Sequence, residues 1–164
     1  MVRTGRARAA AERLPVYAAA LWWGSLTTTG FLVVPLLFAH LTTPAMAGQM
    51  AARLFTAQTW LGTGCGMVLL VFSRSNKPLA GVALTQAATI FIVLGLLMAL
   101  LAEFAVAPHI VARENLRLWH GVGSAMYLVQ WLSAAMVLWR LAGNYSDGHA
   151  SSIPASTPPP SELV

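Results

Sequence analysis

The chain has 164 residues, 57% of them hydrophobic and only 9% charged, with a net charge of +5 and a mean hydropathy of +0.67. A soluble domain carries about 25% charged residues, and a domain this small leaves too much surface exposed to hide so many apolar side chains. The composition therefore excludes an ordinary soluble globular fold and points to one domain that has lipid as its solvent.

The sequence pI is near 10.4, but the basic residues sit mostly at the ends of apolar runs. Membrane orientation explains that placement. No basic face is left over to track a nucleic acid, so no nucleic-acid partner is expected. The single cysteine, Cys65, has no partner for an internal disulfide and lies beside glycines in an apolar run, where a packed thiol is expected.

In chain order, residues 1–13 hold Arg3, Arg6, Arg8 and Arg13 against Glu12 and read as a basic cytoplasmic N-terminus. Ala45-Met46-Ala47 has the form of a signal-peptidase site, but the apolar run Leu14–Phe38 is far longer than the roughly 7–15 residues of a signal core. The first membrane span is placed at 14–39, with Pro15 in its first turn and Pro35 kinking its last.

Thr43-Pro44 reads as a helix cap followed by proline at the first helical position. The second span runs over 46–72, and its first residues, to Arg53, project through the interface. Gly62 and Gly66 form a small-xxx-small pair suited to close helix approach, and Gly64, Gly121, Gly123 and Ser124 are assigned the same role. The Gly62–Gly66 stretch lacks the lysine of a phosphate-binding loop.

Residues 73–78 form a polar loop, and the third span covers 79–102. The segment Glu103–Arg117 reads as an outer loop broken by Pro108, and the fourth span covers 118–140. The Ser-, Pro- and Gly-rich residues 142–164 are expected to be a disordered cytoplasmic tail. Positive charge at the N-terminus, Arg74, Lys77 and Arg140 places both termini in the cytoplasm. Tyr17 and Trp139 then fall at the inner interface and Trp119 at the outer one, while Trp22, Trp23, Trp60 and Trp131 are assigned to packing.

This arrangement gathers His40, His109 and His120 at the outer end, together with Met46 and Met50. Imidazole with thioether suits copper, and two facing histidines suit haem iron. An amphipathic ring at a membrane interface equally needs no ligand. Arg53 shares that end with Glu103 and Glu114, so a polar network of Arg53, Glu103, Glu114, Arg113 and Arg117 is expected to pin the second helix to the loop before the fourth.

Several short runs are similar to one family. Trp23-Gly24 with Phe31-Leu32-Val33-Val34-Pro35-Leu36-Leu37-Phe38, then Ala47-Gly48 and Leu54-Phe55, then Trp119-His120-Gly121 with Ser124, resemble the domain of unknown function 4149 family and, with it, transmembrane protein 205. The likeness spans about 14–140. The family often has an asparagine after the His-Gly…Ser run, where this chain has Tyr127. The resemblance implies small four-helix proteins of the bacterial inner membrane and brings no assigned activity with it.

The expected fold is an all-α integral membrane four-helix bundle with up-down topology, occupying 14–141. The leading functional expectation is a non-enzymatic, multi-pass inner-membrane protein that serves as a structural or assembly partner, with the lipid bilayer and a membrane protein or a second copy as its partners. No cofactor is expected in that reading. The alternatives are a copper- or haem-binding protein with its site at the outer face, and a small transporter, which the absence of a mid-span charge weakens. No nucleophile–base pair on a common face suggests an enzyme.

Overall fold

A computed structural model of the chain describes residues 2–74 and 86–150, with side chains described over 13–74 and 86–143. All regular structure among the described residues is helical. Helix α1 (Val2–Thr28) passes through a π turn (Thr29–Val33) into α2 (Val34–His40). After three residues α3 (Pro44–Arg74) follows. Helix α4 (Gln86–Leu101) passes through a second π turn (Ala102–Val106) into α5 (Ala107–Val111), and α6 (Leu116–Ala150) ends the described chain.

These helices join into four rods long and apolar enough to cross a membrane: Arg13–His40, Pro44–Arg74, Gln86–Val111 and Leu116–Gly143. At ~1.5 Å per residue even the shortest exceeds the ~30 Å of a hydrocarbon core.

Several expected boundaries shift. Helix α1 starts at Val2, so the basic N-terminus is helical and Pro15 lies inside the helix rather than in its first turn. The third rod does not stop at residue 102. It runs through Glu103 and Pro108 to Val111, so Glu103 and His109 are helical, and the turn before α6 is confined to residues 112–115. Arg113 (φ 58°) and Asn115 (φ 35°) take left-handed backbone there, which lets so short a turn reverse the chain. Helix α6 continues past the expected start of the tail to Ala150. The expected loop at 73–78, the start of the third span before Gln86, and residues 151–164 lie largely or wholly outside the described residues.

The cap before α3 forms as expected, with the Met46 amide donating to Thr43 Oγ1 at 3.3 Å. The expected kink at Pro35 and the expected break at Pro108 each coincide with a π turn, through which the helix continues. In each, a backbone N–H reaches back five residues, Val34 to Thr29 and Ala107 to Ala102. A proline has no N–H and its ring crowds the carbonyl four residues earlier. One wide turn just ahead of Pro35 and Pro108 shifts the pairing and lets the helix continue. The two turns carry the same pattern, Phe31-x-Val33-x-Pro35 and Phe104-x-Val106-x-Pro108.

The rods close into a ring in which α1 packs on α3, α3 on α4, α4 on α6 and α6 on α1. Residue numbers rise along one helix as they fall along its neighbour: Ser25 and Trp22 meet Gln58 and Gly62, while Thr56, Gly66 and Ser73 meet Glu103, Leu96 and Thr89. Trp22, Leu26, Leu69, Ile92, Val137 and Leu141 are the largest fully buried side chains.

Trp22 is the hub. A Cβ added at Gly62 on α3 would lie 2.9 Å from its Nε1, and one at Gly95 on α4 would lie 2.8 Å from its six-membered ring. Helix α6 brings Gln130 and Ser133 to the same two glycines. Gly66 likewise seats Leu96, with 2.6 Å from a Cβ to the leucine. Gly62 and Gly66 thus hold helices together as their spacing implies, and Gly123 meets Val106 and Ile110. Gly64 and Gly121 do not: a side chain at either would meet open space, because both point outward. Trp60 also departs from its packing assignment, being 59% exposed on the outside of the ring. Cys65 is buried, as expected.

Candidate functional site

Polar side chains concentrate in two places, a seam through the middle of the bundle and the end that carries His40. The seam was not singled out in the sequence, because its members are uncharged and scattered among apolar residues. Gln58, Thr59, Gln130 and Ser133 are buried. Gln58 and Gln130 lie near the midpoints of their spans, where no water is available to satisfy an amide.

Gln58 is satisfied by α1. Thr29 Oγ1 donates to Gln58 Oε1 at 3.3 Å, Gln58 Nε2 donates to Ser25 Oγ at 2.9 Å, and Ser25 Oγ donates to the Trp22 carbonyl at 2.9 Å. The relay ends on backbone. On the other side of α1, Trp131 Nε1 donates to Thr27 Oγ1 at 2.9 Å, and Thr27 donates to the Trp23 carbonyl at 2.8 Å. Trp131 also packs against Trp23 and Phe31. Trp22 Nε1, Trp23 Nε1 and Gln130 Nε2 are buried without a hydrogen-bond partner.

The first π turn has a specific occupant. Tyr127 of α6 reaches the backbone of the first rod, its hydroxyl donating to the Leu26 carbonyl at 2.7 Å and its ring lying against Gly30. Leu26 and Gly30 would pair with each other in a regular α-helix. The tyrosine stands between them, and a side chain inserted in this way is a known cause of a local widening. At the second π turn, Glu103 accepts from Thr56 Oγ1 of α3 at 2.8 Å. Phe55 packs edge-on to Tyr127, so α3 joins both turns.

At the His40 end the expected residues are present but separately engaged. His40 Nδ1 is 3.0 Å from the Leu36 carbonyl of its own helix. His109 Nδ1 is 2.7 Å from Glu114 Oε2, and its ring lies flat on Trp119 at 4.1 Å between centroids and 6° between planes. His120, Met46 and Met50 are exposed. Among the described residues no three or more His, Cys, Asp or Glu side chains converge to hold a metal ion.

The expected five-residue ionic network is also divided. Glu103 takes Thr56 and Glu114 takes His109, while no ion pair joins either acid to Arg53, Arg113 or Arg117 among the described residues. Those three arginines are exposed. Glu103 lies inside the bundle wall, where a hydroxyl from the adjacent helix reaches it and a long arginine from the rim does not. Asn115, Arg117, Leu118, Gly121, Val122 and Ala125 line an open groove of about 540 Å³ along the outside of α6.

Four long apolar rods, an interior braced by uncharged hydrogen bonds and an apolar exterior define a multi-pass helical membrane protein. Within that class the chain belongs to the family of the domain of unknown function DUF4149, which matches residues 17–118. That match takes in α1 from Tyr17 through the start of α6 and stops short of Tyr127 and Gln130. No curated protein and no solved structure matches the chain.

Proposed function

We propose that this chain is a non-enzymatic protein of the bacterial inner membrane, an up-down bundle with both termini in the cytoplasm, that serves as a structural or assembly partner. The observation that supports this reading is the Thr29–Gln58–Ser25–Trp22 relay. Its polar groups are spent on bracing one helix against another and ending on backbone, as they would be in a rigid scaffold. The apolar exterior of the ring, which includes Trp60, Val71, Phe104 and Trp139 on three of the rods, is available to lipid and to neighbouring membrane proteins. A homo-oligomer or a heterologous membrane partner both fit that exterior.

Quantitative iron and copper analysis tests this reading against its main competitor. The purified protein, after exposure to Cu(I) and to haem, is compared with a His40→Ala/His120→Ala double variant. This proposal expects no metal at near-stoichiometric level in either. Metal present in the parent and lost from the variant would replace it with a metal-handling role. Reporter fusions at the two ends test the orientation, and a terminus found outside would overturn it.

A further inference from the structure

The end of the bundle opposite His40 contains a cation with no described counterion. Arg140 lies on α6, half-buried, with its guanidinium carbon 5.6 Å from the centre of the Phe91 ring on α4. Its Nε is sealed from solvent and has no hydrogen-bond partner. No hydrogen bond or ion pair engages the rest of the guanidinium among the described residues. The two acids with described side chains, Glu103 and Glu114, are bound to Thr56 and His109 toward the other end. Glu103 is about 18 Å along the third rod from Phe91, taking ~1.5 Å per residue.

Neighbouring residues fix the depth of this charge. Trp139, next to Arg140, is 78% exposed, and Tyr17 on α1 is 62% exposed. Both lie near the ends of their spans, Tyr17 four residues after Arg13 and Trp139 four residues before Gly143, at the headgroup level where an amphipathic ring is most comfortable. Arg74, at the end of α3, is exposed and adds charge to this end. A guanidinium held over an aromatic ring has less side-chain freedom to lose on binding, and its planar fork matches the oxygens of a phosphate. At the edge of the hydrocarbon, an arginine without a protein partner takes one from the headgroup layer.

We propose that Arg140, held in place by Phe91, is a binding site for the phosphate of an anionic phospholipid at this end of the bundle. The proposal rests on the four spans alone and not on the assembly role. The lipid places its phosphate oxygens on the outward guanidinium nitrogens, Trp139 flanks the headgroup, and the acyl chains lie along α6.

The test uses the full chain purified in mild detergent. Native mass spectrometry follows retention of phosphatidylglycerol, phosphatidylethanolamine and inorganic phosphate. Phosphatidylglycerol is expected to outlast phosphatidylethanolamine, and Arg140→Gln is expected to weaken its retention about tenfold, the loss of a hydrogen bond to a charged group. Phe91→Leu keeps the charge, removes the cation–ring contact and is expected to weaken retention by less. Arg140→Lys is expected to fall between the parent and the glutamine variant. Equal retention of the two lipids by the parent would overturn the site, as would retention indifferent to Arg140→Gln. Displacement of phosphatidylglycerol by millimolar inorganic phosphate would overturn the lipid assignment. Should Arg140→Gln fail to fold, the lipid preference of the parent and the Phe91→Leu comparison decide the matter.

Discussion

Gly30 and Tyr127 interlock: a Cβ at Gly30 would lie 2.5 Å from the tyrosine ring, whose hydroxyl donates to the carbonyl of Leu26, one turn earlier, at 2.7 Å. The pair joins the first and last spans at the π turn, and neither residue can change without the other. Gly30→Ala should therefore destabilise the bundle by about 1–3 kcal/mol, the usual range for overpacking. Adding Tyr127→Ala should recover part of that loss, because the clash disappears with the ring. Unfolding of the two single variants and the double variant in detergent gives the coupling directly. Strict additivity would contradict the interlock.

The glycines should divide by what faces them. Gly66→Ala drives a methyl into Leu96, and Gly62→Ala drives one onto the fully buried Trp22, so each should lose about 1–3 kcal/mol. Gly64→Ala and Gly121→Ala meet open space and should be neutral or stabilising by up to about 1 kcal/mol, since alanine is the better helix former. Thermal unfolding of the four variants checks the change of sign.

Removing the amide at the centre should cost more than removing a peripheral hydroxyl. Gln58→Leu deprives Ser25 and Thr29 of their partner and should destabilise by about 1–2 kcal/mol. Thr63→Val removes only a bond to the carbonyl of its own helix, at Thr59, and should change stability by less than about 0.5 kcal/mol. Equal effects would mean that the relay does not brace α1 against α3.

Glu103 should depend on Thr56 and not on the arginines. Thr56→Val leaves a carboxylate in the helix wall without its donor and should destabilise by about 1–3 kcal/mol. Arg53→Leu, Arg113→Leu and Arg117→Leu should each lie within about 0.5 kcal/mol of the parent, as exposed substitutions do. A large loss from Arg53→Leu would restore the ionic network that the sequence suggests.

Four apolar rods are legible in the sequence, because length and hydropathy are properties of one segment at a time. The sequence also identified Gly62 and Gly66 as packing residues, since their spacing places them on one face of one helix. The local cap at Thr43 was legible for the same reason. What lay between segments was not. Pro108 reads as a break, yet the helix continues through it, because a widened turn re-pairs the backbone there as it does ahead of Pro35. At the first of these turns the inserted group is Tyr127 of another helix.

Which polar groups meet is set by how the rods pack. In the sequence, charged residues of both signs cluster at the His40 end. The third rod instead carries Glu103 into the bundle wall and leaves Arg53, Arg113 and Arg117 on the rim. The interior seam is built from single uncharged residues on separate helices: Ser25, Thr27 and Thr29 on the first rod, Gln58 on the second, Tyr127, Gln130 and Trp131 on the last. Each alone is an unremarkable polar residue in an apolar run. In lipid a buried amide or hydroxyl has no water to turn to, so any partner, as for Gln58, comes from another turn or another helix, and which one is fixed by packing rather than by any local pattern.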